Sequence, residues 1–212
     1  MASERPVIIG GGGHARSLIA MAPLTQRPQN YVDPCEGCLP LNWLGDDKTF
    51  LADSRYADMP VIIGYVSPGS SSMAVRRRII EQYAGRNFST VIAEDATVEP
   101  DTVIGCGTAI FHRAVVNTGA FLGDHVVVNT GAIIEHDSIV GENSFIGPGA
   151  VLCGNVTVGN DVFIGAGAVI RPGIKICDGV TIALGAIVFK DIRKPGVYIG
   201  NPAKLLTWRH SS

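Results

Sequence analysis

From Ile92 to Val188 an aliphatic residue recurs at every sixth position without a gap: Ile92, Val98, Ile104, Ile110, Val116, Leu122, Val128, Ile134, Val140, Ile146, Leu152, Val158, Ile164, Ile170, Ile176, Ile182 and Val188. A period of six matches neither the turn of an α-helix nor the alternation of an ordinary strand. It matches a short strand followed by a turn, repeated. Three such units return the chain to its starting direction and close a triangular coil with the aliphatic side chains stacked inside. Two positions ahead of these residues stand small or β-branched ones that suit tight corners, among them Thr102, Ala120, Ala132, Ser144, Ala150 and Ala168. Glycine follows the aliphatic position at 105, 123, 141, 147, 159 and 165, and is expected there to supply turn conformations that a Cβ would oppose.

The residues before this series follow a different grammar. Pro6–Gly10 reads as a short buried strand, His14–Ala22 as a helix, Asn30–Asp33 and Met59–Gly64 as further strands, and Met73–Ala84 as an amphipathic helix. Strands alternating with helices imply a parallel sheet. The stretch Pro34–Asp47 is rich in turn formers and reads as a loop. The expected architecture is therefore α/β plus β: a small Rossmann-like parallel-sheet domain over 1–86, then a parallel β-helix domain with a C-terminal tail over 87–212.

The first strand runs into Gly10-x-Gly12-x-x-Ala15 at the start of a helix, with Asp33 at the end of the second strand, a relaxed form of the dinucleotide fingerprint. Small residues admit a ligand to the backbone, and a helix N-terminus favours an anion. An α/β part ending near residue 85 is too short for a complete dinucleotide fold plus a catalytic domain, which favours a half-fold holding one nucleotide over an NAD enzyme. A tight strand-to-helix turn without a ligand is the plainer alternative.

Composition excludes several classes. Of 212 residues, 46% are hydrophobic and only 17% charged, against disorder. A formal charge of -2 offers no strong pull on nucleic acid or acidic membranes. The basic cluster Arg76-Arg77-Arg78 is expected on a solvated helix face, with a phosphate or partner contact as the alternative. The apolar run before the N-terminal glycines is too short for a signal peptide, and no stretch has the length of a membrane span, so no membrane insertion and a cytoplasmic location are expected. Five cysteines without a secretion signal imply free thiols. Cys35 and Cys38 form a CxxC that lacks a second ligand pair for structural zinc; incidental loop thiols are expected, a redox role being the alternative.

One polar cluster, Glu135-His136-Asp137, interrupts the apolar run Val126–Gly141. With three hexads per coil, residues eighteen apart stack about 4.8 Å from each other. His136 lies at a corner, two residues after the inward Ile134, and the same corner of the next coil holds Gly154. An imidazole beside a backbone N–H with no side chain in the way suits acyl transfer, as base and oxyanion donor. Asp137 or Glu135 could hold the other ring nitrogen. A merely solvated corner histidine is the alternative. His112, His125 and His136 fall on three different faces, which disfavours a metal centre.

A short α/β unit opening with GGGGHA, uninterrupted hexapeptide repeats and the ending "GVYIGNPAKLL" (Gly196–Leu206) resemble one family: sugar O- and N-acyltransferases of the sialic-acid O-acetyltransferase type. That family includes N-acetyltransferases of nucleotide-linked 4-amino-4,6-dideoxy sugars. The resemblance implies that the β-helix is left-handed. "NTGAIIEHD" (Asn129–Asp137) matches the catalytic segment, implying His136 as general base and Asp137 as its acidic helper. It further implies that Gly12, Gly13, His14, Asp33 and Gly64 line a nucleotide-sugar pocket, that the Gly154 N–H binds the acetyl carbonyl, and that Ala166 touches the coenzyme A arm. Phe145 stands where many relatives carry a second histidine near the thioester, and its ring could pack against pantetheine. Acetyl-CoA as donor, no metal, and a homotrimer with coenzyme A between neighbouring β-helices are implied as well. The expected activity is N-acetylation of a nucleotide-linked amino sugar; O-acetylation of sialic acid or another sugar, and a non-catalytic scaffold, are the alternatives.

Overall fold

The computed structural model describes residues 5–66 and 72–207; the first four residues, part of the N-terminal run considered above as a leader, lie outside the described residues. Four short parallel strands open the chain: β1 (Val7–Ile9), β2 (Asn30–Val32), β3 (Asn42–Trp43) and β4 (Val61–Ile63), in the order β3-β2-β1-β4. The centre of this sheet is apolar on both sides, with Val7, Ile8, Val61 and Ile62 all buried. Helices α1 (Gly13–Met21), α2 (Asp47–Ala52) and α3 (Ser72–Gln82) accompany it. The stretch expected to be only a loop carries edge strand β3 and leads into α2. Two paired residues are too few to show a period, but the Asp46 cap, which accepts the Thr49 N–H at 2.8 Å, was a readable signal for the helix.

Phe88 still bridges Val61 of β4, and from Val91 the chain winds as a three-faced parallel β-helix. Pairings join residues eighteen apart, as in Ile133 with Val151 and Ile134 with Leu152. Face I contains Val127–Val128, Phe145–Ile146 and Phe163–Ile164; face II contains Val115–Val116, Ile133–Ile134 and Val151–Leu152; face III contains Phe121–Leu122, Ile139–Val140 and Thr157–Val158. The sixth-position aliphatics from Ile110 to Val188 are all buried in one continuous core. Each contributes roughly 1.5–3 kcal/mol of transfer free energy.

The glycines directly after the aliphatic position serve a different purpose from the one expected. A Cβ on Gly141 would stand 2.5 Å from the Gly159 carbonyl carbon of the next coil. They permit close stacking of coils. The left-handed turn lies three residues after the aliphatic, where Gly131, His125, Asp137, Asn143 and Asp161 all have positive φ. Asn and Asp tolerate that conformation because their short side chains can bond locally.

The sheet and the prism share a core in which Ala15 and Leu18 of α1 pack with Ala109, Phe111, Val127 and Phe145 of face I. The arginine triplet departs from expectation. Helical spacing places Arg76 on the buried face of α3 with Met73 and Ile80, and only Arg78 is exposed. Arg76 Nη1 donates to the His125 carbonyl at 2.7 Å and to Asn143 Oδ1 at 2.5 Å. Arg77 pairs with Asp161 at 2.7 Å and Glu142 at 3.2 Å. Arg76 and Arg77 thus fasten α3 to the edge between faces III and I. Among the described residues no helix is long and apolar enough to cross a membrane.

His125 is buried at this junction, its ring 4.4 Å from that of Phe88. Burial, then the Arg76 charge, lowers its pKa to about 4. A histidine held neutral in the fold but free to protonate when unfolded makes stability full above the unfolded value near 6.5 and weakens it as pH falls towards 4. The melting temperature should therefore decline between those values, and His125→Gln should flatten that decline in a calorimetric pH series.

Candidate active site

The edge between faces II and III carries the polar cluster. Ile134 points inward and anchors the rung, and Asp137 adopts φ 58° at the left-handed position. That turn brings Asp137 Oδ2 to 2.9 Å from His136 Nδ1, with both side chains about half exposed. Glu135 accepts instead from Asn117 Nδ2 at 3.0 Å. Of the two flanking acids, Asp137 therefore orients the ring. The opposite nitrogen faces the next coil. A Cβ on Gly154 would strike His136 Nε2 and stand 2.7 Å from Cε1, so the imidazole lies directly against the bare backbone of Gly154.

The Gly154 amide is open as well. On the edge between faces III and I, the matching N–H groups of Cys106, Glu142 and Asn160 donate to side-chain oxygens of Asp124, Asn160 and Asp178 one coil further on, each at 2.8 Å. One coil beyond Gly154 is Pro172, which has no such oxygen. Among the described residues the Gly154 N–H has no acceptor. A carboxylate-oriented imidazole and an uncommitted N–H one rung away can accept a proton and stabilise a developing oxyanion at a single carbonyl.

A groove of about 480 Å³ lies one edge away, over face I and its boundary with face II. His14, Val66, Asn129, Phe145, Phe163 and Ala166 line it, and it is largely apolar. Phe145 stacks on Phe163 at 4.9 Å and 9°. The His14 ring is 5.3 Å from Phe111 and 6.4 Å from Phe145, and its Nε2 is buried and has no hydrogen-bond partner among the described residues. Burial, then the Arg76 charge, lowers the His14 pKa to about 3, so the ring is neutral at physiological pH. The structure thus joins Phe145 and Ala166 to His14, and sets them one prism face away from Gly154. Phe163 and Val66 had not been singled out in the sequence; Phe163 was findable, since it lies eighteen residues after Phe145.

At the carboxyl ends of β1, β2 and β4 a cleft of about 260 Å³ is bordered by Gly10, Asp33, Tyr65 and Ile79. Asp33 Oδ2 accepts the Gly11 N–H at 2.7 Å and Oδ1 accepts the Cys35 N–H at 2.9 Å. Among the described residues nothing lies within reach of a Cβ on Gly12, and no side chain caps the N-terminus of α1. Gly13 is nearly as open, with only the end of Arg16 within reach at 3.7 Å. Gly64 is a packing residue: a Cβ there would stand 2.7 Å from Ile8 Cγ1 and 3.0 Å from Ala15 Cβ. Among the described residues no three His, Cys, Asp or Glu side chains converge on a metal-sized site; His112 is paired with Asp95 at 2.6 Å.

A closed hexapeptide prism with a histidine against an open glycine amide defines a hexapeptide-repeat transferase. The bacterial transferase hexapeptide family (six repeats) matches residues 119–154 and 155–190. The acetyltransferase domain of PglB from Neisseria gonorrhoeae FA1090 is 31% identical, covers 96% of this chain and 100% of its own, and superposes with a TM-score of 0.86. PerB from Caulobacter crescentus, solved with CoA and GDP-perosamine, is 28% identical over 97% of this chain and 99% of its own, with a TM-score of 0.87. WeeI from Acinetobacter baumannii AYE, at 18% identity over 95% and 99% of the two chains and a TM-score of 0.77, shares the fold. Among curated proteins no match is found. The chain belongs to the hexapeptide-repeat sugar acetyltransferases.

Replacing Gly154 by Ala should push the imidazole off its rung. The expected readout is a shift of the His136 ring resonances by NMR, with those of buried His125 unmoved.

Proposed function

We propose that this protein transfers the acetyl group of acetyl-CoA to the amine of a nucleotide-linked 4-amino-4,6-dideoxy sugar. The observation that carries this reading is the His136 ring against the uncommitted Gly154 amide. Nε2 takes the amine proton as the nitrogen attacks the thioester carbonyl, and the Gly154 N–H stabilises the tetrahedral oxyanion. Asp137 steadies the resulting imidazolium through Nδ1. Coenzyme A leaves as a thiolate and recovers the proton, so no covalent enzyme intermediate is needed.

Residues 1–86 hold the nucleotide sugar in this reading, with Asp33 and the open backbone at Gly12 and Gly13 at the cleft, and residues 87–212 carry the chemistry. His14, neutral and with no Nε2 partner among the described residues, contributes a hydrogen bond from within the apolar groove, where Phe145 and Ala166 accompany the pantetheine arm. The PglB domain has been solved with acetyl coenzyme A, and PerB with CoA and GDP-perosamine, which supports this pairing of substrates. Such water-soluble substrates fit a cytoplasmic enzyme.

A homotrimer reconciles the two separated parts of the site. Val115, Ile133, Val151, Val169 and Ile187 form a half-buried apolar ladder on the outside of face II, in register through parallel pairing. Three prisms turning this face to a common axis bury the ladder. The edge with His136 on one copy then meets the groove with Phe145 and Ala166 on the next. Val151→Asp should yield monomers by light scattering and abolish turnover together.

The decisive assay is thiol release from acetyl-CoA against UDP-, GDP- and dTDP-linked 4-amino sugars, with hydroxy sugars in parallel. His136→Ala should lower kcat at least about 10²-fold at unchanged fold. Turnover confined to hydroxy sugars would establish O-acetylation instead, and near-normal kcat in the variant would remove His136 as the base.

A further inference from the structure

The segment after β2 holds two thiols that acyl transfer does not use. Cys35 and Cys38 flank a turn over Glu36-Gly37, with Gly37 at φ 82°, a positive φ of the kind a β-turn can place at its third residue. The ends of such a turn lie within about 7 Å, which overlaps the Cα separations of disulfides. Both thiols are free and exposed. The turn is tied to β2, since the Gly37 N–H donates to the Tyr31 hydroxyl at 2.6 Å.

This turn is also wired to the glycine loop. Asp33 Oδ1 accepts the Cys35 N–H at 2.9 Å and lies 3.6 Å from Cys38 Sγ, while its Oδ2 holds the Gly11 N–H. Gly11 packs on Cys38 so closely that a Cβ there would stand 2.6 Å from the Cys38 Cβ. One carboxylate therefore joins both cysteines to the loop at the mouth of the cleft. Partial desolvation, then the Asp33 charge and hydrogen bond, raise the Cys38 thiol pKa and keep it a protonated donor to that carboxylate.

We propose that Cys35 and Cys38 are a thiol modification site, closing to a reversible disulfide by exchange with a small-molecule disulfide and thereby releasing Asp33 from Gly11. The Cys35 thiolate attacks oxidised glutathione and expels one glutathione thiolate. The Cys38 sulfur then displaces the second from the mixed disulfide, its proton passing to solvent. The protein dithiol loses two hydrogens and two molecules of reduced glutathione form. Drawing Cys38 Sγ to Cys35 withdraws its S–H from Asp33 and moves the Cβ on which Gly11 rests. That the released loop belongs to a nucleotide-sugar site rests on the function proposed above; the release itself does not.

The test uses the full-length protein equilibrated with oxidised or reduced glutathione, with the bond located by peptide mass mapping. Amide exchange in the peptide spanning 10–14 should rise on oxidation, and affinity for the nucleotide sugar should fall about tenfold, the loss expected for one hydrogen bond to a charged group. Dithiothreitol should reverse both changes. Cys35→Ser, which cannot close the bond, should behave as reduced wild type in either buffer. Unchanged exchange in the mapped disulfide form, failure of the bond to form, or an equal response in Cys35→Ser would overturn the proposal. Reduced protein that fails to bind any nucleotide sugar while exchange still responds would count against the proposed function and leave the thiol site standing.

Discussion

The structure depends on the closure of an eighteen-residue coil around a single stack of aliphatic side chains. Each rung pairs in parallel with the one before, and a slip of one residue would turn the buried positions outward. Because the core forbids that slip, residues eighteen apart are held in line. The alignment of His136 with Gly154 thus follows from the packing of Ile134 on Leu152.

Why one edge differs from the others is a matter of missing partners. Along the boundary of faces III and I, side-chain oxygens reach back to the exposed N–H groups, and Arg76 and Arg77 bind that boundary to α3. That edge is structural. Along the boundary of faces II and III a proline stands where the next such oxygen would be, and the Gly154 amide remains available. A donor left unpaired at the surface costs little, because water serves it, and in the proposed reaction it is free to meet a developing oxyanion.

Local backbone demands also shape the chemistry. The left-handed position three residues after each aliphatic favours Gly, Asn or Asp, and at Asp137 it turns the carboxylate back onto the preceding ring. The fold element that closes the corner also orients the imidazole. His14 shows the opposite influence: burial against Phe111 and proximity to Arg76 hold it neutral, leaving a hydrogen-bonding group without charge in an apolar groove. The two histidines differ through their surroundings alone.

The six-residue period, the change of grammar near residue 87 and the shared corner of His136 and Gly154 were legible in the chain, because a β-helix converts sequence distance into spatial distance by a fixed rule. The rule did not extend to side chains whose surroundings come from elsewhere in the molecule. Arg76 looked like surface charge until α3 met the prism, the close packing of Gly64 against Ile8 and Ala15 had no local signal, and Glu135 and Asp137 were equivalent until turn geometry chose between them. Repetition along the chain determined which residues stack. Packing between distant segments decided which are buried, which hydrogen bonds remain open and which charges persist, because desolvation depends on neighbours that no local period encodes.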